Sequence, residues 1–163
     1  MSQPEHSLTE DLARIEAWAR AECDYAKTGV HYSLFLDPPN LLPAVRLLLE
    51  RGAFLEAISG VDAEEGVMLV YHFDRYDKSE RLVLRVLVPQ ADKRAPSISS
   101  VFSGADWHER ECFDFFGVVF EDHPNLKPLL LPEDLGINPL VKEQGRKSLR
   151  GLLPLEILVD SEL

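Results

Sequence analysis

Residues 105–131 read ADWHERECFDFFGVVFEDHPNLKPLLL, a charged triplet Glu109-Arg110-Glu111 set between Trp107 and the aromatic run Phe113, Phe115 and Phe116, and closed by Gly117. Asp106 suits an N-cap, Glu109 stands three positions on as in a capping box, and Gly117 supplies the left-handed residue that ends a helix. A helix over residues 106–116 is therefore predicted. At about 100° per residue, Arg110, Glu111 and Asp114 share a side with Trp107, while Cys112, Phe113, Phe115 and Phe116 spread over the other. Glu109 projects towards Phe113 and Phe116. A lone buried carboxylate is costly, so it must be satisfied by the helix backbone or be paired. Pattern alone admits two readings: an amphipathic helix with an Arg110/Asp114 i,i+4 pair worth a few tenths of a kcal/mol, or a charged docking surface.

Outward from this stretch, the chain has 163 residues, enough for one domain with a hydrophobic core. Hydrophobic residues make up 45% and charged residues 28%, an ordinary globular balance. No apolar run is long enough to span a bilayer, and MSQPEHSLTED at the start lacks the basic and apolar regions of a signal peptide, so a cytoplasmic location is expected. The formal charge of -11 argues against nucleic acid and against direct binding to anionic lipid. Cys23 and Cys112 belong to no CxxC pair and cannot supply the four thiolates of an iron–sulfur cluster. In a reducing compartment both are free thiols.

Ser7 and Glu10 form a capping box, and Leu8, Leu12, Ile15 and Trp18 follow at helical spacing, which predicts an amphipathic helix to about Glu22. A strand is predicted over residues 30–36, ended by Pro38-Pro39. Asn40 then caps a second helix with Leu41, Val45, Leu48 and Leu49 inward and Gly52 as its stop. Strands follow at 54–59, 67–73 and 82–88, the last two an antiparallel hairpin with a polar connection. Residues 90–96 read as a polar loop and 97–102 as a short helical turn. The fold class is α+β: a mixed, largely antiparallel sheet with helices packed on one face, plus an extended C-terminal tail. Residues 1–140 form the single domain and 141–163 the tail. That tail holds Lys142, Arg146, Lys147 and Arg150 before Leu152-Leu153-Pro154-Leu155-Glu156-Ile157-Leu158-Val159. It either pairs with the sheet edge or is ordered by a partner.

His108 and Cys112 stand at i and i+4, where two zinc ligands would share a helix face, but a third ligand and a cleft are needed. No GxSxG, P-loop or GxGxxG motif occurs. Glu109, Glu111, Asp114, Glu121 and Asp122 act as general acid and base only if folding gathers two of them in a cleft. A stand-alone carboxylate or metal enzyme is thus one reading.

The other comes from resemblance. Glu109-Arg110-Glu111, Asp114, Phe115-Phe116-Gly117, His123, Lys127 and Leu129-Leu130, continued by Leu131-Pro132-Glu133-Asp134 and Asn138-Pro139-Leu140, resemble the signature of the thirty-kilodalton subunit of respiratory complex I, with Val61-Asp62 and Val70-Tyr71-His72-Phe73 upstream. This is the C subunit of NADH:quinone oxidoreductase, with relatives in membrane-bound energy-converting hydrogenases; the likeness covers about residues 53–140. It implies a non-catalytic peripheral-arm subunit that docks on the large hydrogenase-like subunit and supports assembly beside the other peripheral-arm subunits. It implies no cofactor in this chain, with iron–sulfur clusters, flavin or a nickel site in partner subunits. Membrane association, at the inner face, is then through the complex only. Glu109, Arg110, Glu111, Asp114, His123 and Lys127 carry over as signature and interface positions, and no catalytic residue does. After Leu140 the familiar Arg-Lys-Asp-Tyr-Pro is replaced by Val141-Lys142-Glu143-Gln144-Gly145, which leaves room for a hydrogenase-type complex.

Overall fold

The most apolar stretch, Val67 to Phe73, has no alternation because both of its sides are covered, the mark of a central strand. Around it a computed structural model, which describes residues 11–142, builds a five-stranded sheet. In chain order the elements are β1 (Ala19–Glu22), the one-turn helix α1 (Tyr25–Thr28), β2 (Tyr32–Leu36), α2 (Leu41–Glu50), β3 (Ala53–Asp62), β4 (Gly66–Arg75), β5 (Leu82–Pro89), β6 (Arg94–Pro96), α3 (Ala105–Phe116) and β7 (Val119–Glu121). The sheet order is β1-β2-β5-β4-β3. Every pairing in it is antiparallel except β2 with β5. This is the α+β class expected from the sequence.

One side of the sheet carries the main core. Leu34, Leu36, Leu69, Tyr71, Leu84 and Val86 meet Leu41, Ala44, Val45 and Leu48 of α2 and Ala105, Cys112 and Phe116 of α3 in one buried cluster. Both long helices therefore pack on one face. Leu49 is the exception to the expected inward stripe: it stands at the margin of the arc set by Leu41, Val45 and Leu48 and is 49% exposed. Asn40 makes no side-chain cap, because a 3-10 turn at Pro38–Asn40 leads the chain into α2.

Two further expectations are corrected. The helical reading to Glu22 fails early: helix does not continue past Leu12, the Trp18 N–H donates to the Phe35 carbonyl at 3.0 Å, and Ala19 to Glu22 then pair with Phe35 to Tyr32. The open edge of β2 offers unpaired backbone groups, and satisfying them outweighs a periodicity of four apolar residues. Leu12 and Ile15 still enter the core. The Ser7/Glu10 capping box lies outside the described residues. The polar loop at 90–96 ends in strand β6, which pairs in parallel with β7.

The hairpin connection between β4 and β5 is held by Asp74, whose carboxylate accepts from the N–H groups of Arg75 and Glu80, both at 2.8 Å, and from Arg81 Nε at 3.3 Å.

α3 lies so close to β3 that a Cβ on Gly60 would stand 2.6 Å from the Phe116 ring. Gly60→Ala is expected to cost about 1–3 kcal/mol through overpacking, whereas Gly104→Ala, with open space around its Cβ, stays within about 0.5 kcal/mol of the parent. Urea midpoints at constant slope check this contrast.

Candidate functional site

α3 begins one residue earlier than expected, at Ala105, with Gly104 as a cap that makes no side-chain bond. The Asp106/Glu109 capping box therefore does not form. Glu109 instead reaches out of the helix. Its carboxylate accepts from Ser97 Oγ at 2.6 Å and from the Ile98 N–H at 2.7 Å, and the side chain has no solvent access. Neither of the two expected solutions, the helix's own backbone or an ion pair, accounts for it alone. The turn at 98–102, where Val101 and Phe102 donate to the Ile98 carbonyl, is thereby pinned to α3.

Burial drives the Glu109 carboxyl up to about 7, opposed by the bonds from Ser97 and Ile98 and reinforced by Asp106. Tyr71 stands beneath it from β4, its hydroxyl buried without a partner and its acidity suppressed by burial and then by Glu109 and Cys112. His123 closes the group from the far side. Its Nδ1 accepts from the Asn125 N–H at 3.0 Å, so the proton sits on Nε2, 3.2 Å from the Asp106 carbonyl and 3.7 Å from Glu109 Oε2. The His123 side chain is fully buried. A carboxyl and an imidazole thus lie side by side, yet inside the protein and out of reach of any substrate; what they do there is pin three chain segments.

Arg110 and Asp114 do not pair as an i,i+4 couple. Asp114 is buried and its Oδ2 accepts from three successive N–H groups, those of Leu129 (2.7 Å), Leu130 (2.8 Å) and Leu131 (3.2 Å). Arg110 holds the residues just before them, donating to the Lys127 carbonyl at 3.0 Å and the Pro128 carbonyl at 2.9 Å. Lys127 is therefore used through its backbone. Asn138, part of the signature but assigned no role from the sequence, donates from Nδ2 to the Phe113 and Asp114 carbonyls at 3.2 and 2.9 Å, capping the C-terminal end of α3. Gly117 takes φ 72° there, and a Cβ on it would press on Asn138 at 2.6 Å. The signal for Asn138 was the carbonyls left open at any helix end. Leu140 adds a bond to the Phe115 carbonyl at 3.1 Å. Residues 123–142 thus form a strap without regular structure, locked to the helix.

Trp107 (68% exposed), Glu111, His108, Leu129 and Leu130 (65% exposed) line an open cleft of about 630 Å³ between the outer side of α3 and the strap. Farther along the strap Ile137 is 60% and Leu140 50% exposed. Cys112 points the other way, into the core, where burial pushes its thiol up to about 12, so it does not join His108 as a ligand. Among the described residues no group of three or more His, Cys, Asp or Glu is arranged to hold a metal. No described helix is long and apolar enough to cross a membrane.

Fold and site together define a strap-bearing α+β domain whose charged centre is buried and whose strap turns Leu130, Ile137 and Leu140 outward. Over residues 34–148 the sequence matches the family described as respiratory-chain NADH dehydrogenase, 30 Kd subunit, and the chain belongs to that family. It is 36% identical over 118 residues to the NADH-quinone oxidoreductase C subunit of Roseiflexus sp. (strain RS-1), covering 68% of each chain. It is 40% identical over 90 residues to the F(420)H(2) dehydrogenase C subunit of Methanosarcina mazei, covering 53% of this chain and 57% of that one. Among solved structures it resembles a trypsin-resistant fragment (1-134) of Nqo5, with TM-score 0.54, 29% identity and coverage of 58% and 82% of the two chains. A chain of the membrane-bound sulfane sulfur reductase, an archaeal respiratory membrane complex, shares the fold at TM-score 0.67 and 19% identity, over 94% of this chain and 89% of that one.

Asp114→Ala strands three backbone donors and is expected to cost about 2–4 kcal/mol, whereas Lys127→Ala, which leaves its carbonyl in place, stays within about 0.5 kcal/mol. Denaturant melts of the two variants check this. The Glu109 carboxyl gives a pH signature. Its folded value, about 7, lies above the ordinary 4.5, so its contribution to stability is complete below 4.5 and lost as pH rises through 7. His72, whose value burial lowers, works in the opposite sense near 6.5. The difference between the parent and Glu109→Gln isolates the carboxyl: it is expected to shift against the parent by about 2–3 kcal/mol between pH 4.5 and 7, measured by urea melts across that window.

Proposed function

We propose that the chain is a non-catalytic peripheral-arm subunit of a membrane-associated, proton-translocating NADH:quinone oxidoreductase of the complex I type. It seats on the large hydrogenase-like subunit through the outer side of α3 and the strap. The observation that carries this reading is the division of labour among the signature residues. Glu109, Arg110, Asp114 and His123 are turned inward and spent on backbone groups and on one another, which fixes the strap. Trp107, Leu130, Ile137 and Leu140 stand outward on the surface so fixed, beside exposed Glu111. Large exposed apolar side chains on rigid backbone are the anchors that protein interfaces use.

In this reading the iron–sulfur clusters, flavin or nickel site belong to partner subunits, the other peripheral-arm subunits complete the assembly, and the chain reaches the cytoplasmic face of the membrane only through its complex. Residues 1–140 supply the docking domain. The altered sequence after Leu140 leaves room for a second reading, the equivalent subunit of an energy-converting hydrogenase. The buried position of the Glu109/His123 pair weighs against a carboxylate enzyme.

Co-expression with the large subunit, followed by affinity capture, tests the docking face. Trp107→Ala with Leu130→Ala is expected to weaken capture by about tenfold or more and to leave the melting temperature unchanged; Glu111→Ala should act in the same direction. Capture of the double variant at parental affinity would remove this face from the interface. Co-purification from the native source with a nickel-site subunit rather than a quinone-site subunit would select the hydrogenase reading.

A further inference from the structure

The outer side of α3 carries Trp107 and Glu111 one turn apart, at i and i+4, where side chains of a helix are neighbours about 5–6 Å apart at Cβ. Both line the cleft that Leu129 and Leu130 close from the strap. Its two walls are fixed to one another. Arg110 donates to the Lys127 and Pro128 carbonyls, and Leu129 and Leu130 donate their N–H groups to Asp114.

Neither side chain is used within the fold. Trp107 is 68% exposed, and among the described residues its indole meets no other ring and no cation. Glu111 is exposed and, among the described residues, makes no hydrogen bond and no ion pair. It is the one carboxylate of the cleft lining, and no lysine or arginine lines the cleft. Arg110, its neighbour in the chain, is committed to the strap carbonyls.

The chemistry of what fills the cleft follows from this pair. A wholly apolar segment would cover Trp107 and Leu130 but would strip water from the Glu111 carboxylate and leave it unpaired, a penalty that the apolar contact must first overcome. An ammonium would pair with Glu111, yet it is a compact and strongly hydrated charge that loses that water against an indole. A guanidinium meets both requirements. It is planar and weakly hydrated, it lies on an aromatic face, it offers a carboxylate two parallel N–H donors, and its aliphatic stem can run along leucine. The formal charge of -11 on the chain draws a cationic segment to it.

We propose that the cleft between Trp107, Glu111 and Leu130 receives an arginine side chain of the docking partner. The guanidinium lies on the Trp107 indole and is bonded to the Glu111 carboxylate, and an apolar neighbour of that arginine rests on Leu129 and Leu130. This builds on the docking role proposed above and adds what the partner must present there.

Two measurements on the full-length chain test it, the first without the partner. In a 15N-labelled chain the Trp107 indole N–H resonance, assigned with Trp107→Phe, is expected to shift on titration with Nα-acetyl-arginine amide. The shift should be about threefold smaller or less with the corresponding lysine and citrulline amides, and absent in Glu111→Gln. In affinity capture of the co-expressed large subunit, Glu111→Gln is expected to weaken binding about tenfold and to flatten its salt dependence, with the melting temperature unchanged. Loss of capture in Glu111→Arg should be recovered by one arginine-to-glutamate substitution in the large subunit. No arginine-selective shift, or one that persists in Glu111→Gln, would overturn the proposal, while loss of capture in Trp107→Ala with Leu130→Ala would show that the docking face itself still holds. An arginine-selective shift with parental capture by Glu111→Gln would overturn the large subunit as the source of the arginine. Self-association of the parent chain that Glu111→Gln abolishes would give the cleft to a second copy and overturn the proposal likewise.

Discussion

Backbone N–H groups in segments without a ladder of their own must find acceptors or be left costly and unpaired, and here two carboxylates of one helix supply them. Glu109 accepts from Ile98, on the segment that enters α3, and Asp114 accepts from Leu129, Leu130 and Leu131, on the strap that leaves it. Neither carboxylate has more than a trace of exposure. A buried charge is tolerated when its lone pairs are filled: those of Asp114 are filled by main chain, which substitution of the donor residue does not alter, and those of Glu109 by the Ile98 N–H and the Ser97 hydroxyl.

This arrangement makes α3 a brace with two unlike faces. Its core side, Ala105, Cys112 and Phe116, seats it on the sheet, close enough at Gly60 that only a residue without a side chain fits. Its polar residues project around the rim and hold the strap by main-chain contacts at Lys127, Pro128 and residues 129–131, with Asn138 closing the helix end. Because the strap is held through its backbone, its side chains are free to face outward. Leu130, Ile137 and Leu140 are displayed for the same reason that the strap is rigid. Rigid display lowers the ordering cost of association, which is what the proposed docking role asks of the polar network.

The buried group of Glu109, His123 and Tyr71 has the composition of a catalytic centre and the accessibility of a core. Its elevated carboxyl follows from desolvation first, so the perturbation reports burial and carries no implication of turnover. Perturbed acidity marks structural networks as readily as active sites when no cleft opens onto it.

The sequence by itself determined the class of fold, the four main-sheet strands between residues 30 and 89, the two long helices and the ordered signature that places the chain in its family, because these rest on local periodicity, on Gly117 as a helix stop and on spacing along the chain. It also determined that Glu109 needed a partner, since a carboxylate among Phe113 and Phe116 is costly in any fold. Only the tertiary structure decided which partner. Ser97 and Ile98 lie 12 and 11 positions away, and no periodicity links them to Glu109. The same holds for Asp114 with residues 129–131 and for Asn138 with Phe113. Trp18 to Glu22 shows the converse. Their helical spacing was genuine, yet the unpaired edge of β2 drew them into a strand, because a ladder satisfies backbone groups that only the assembled sheet presents.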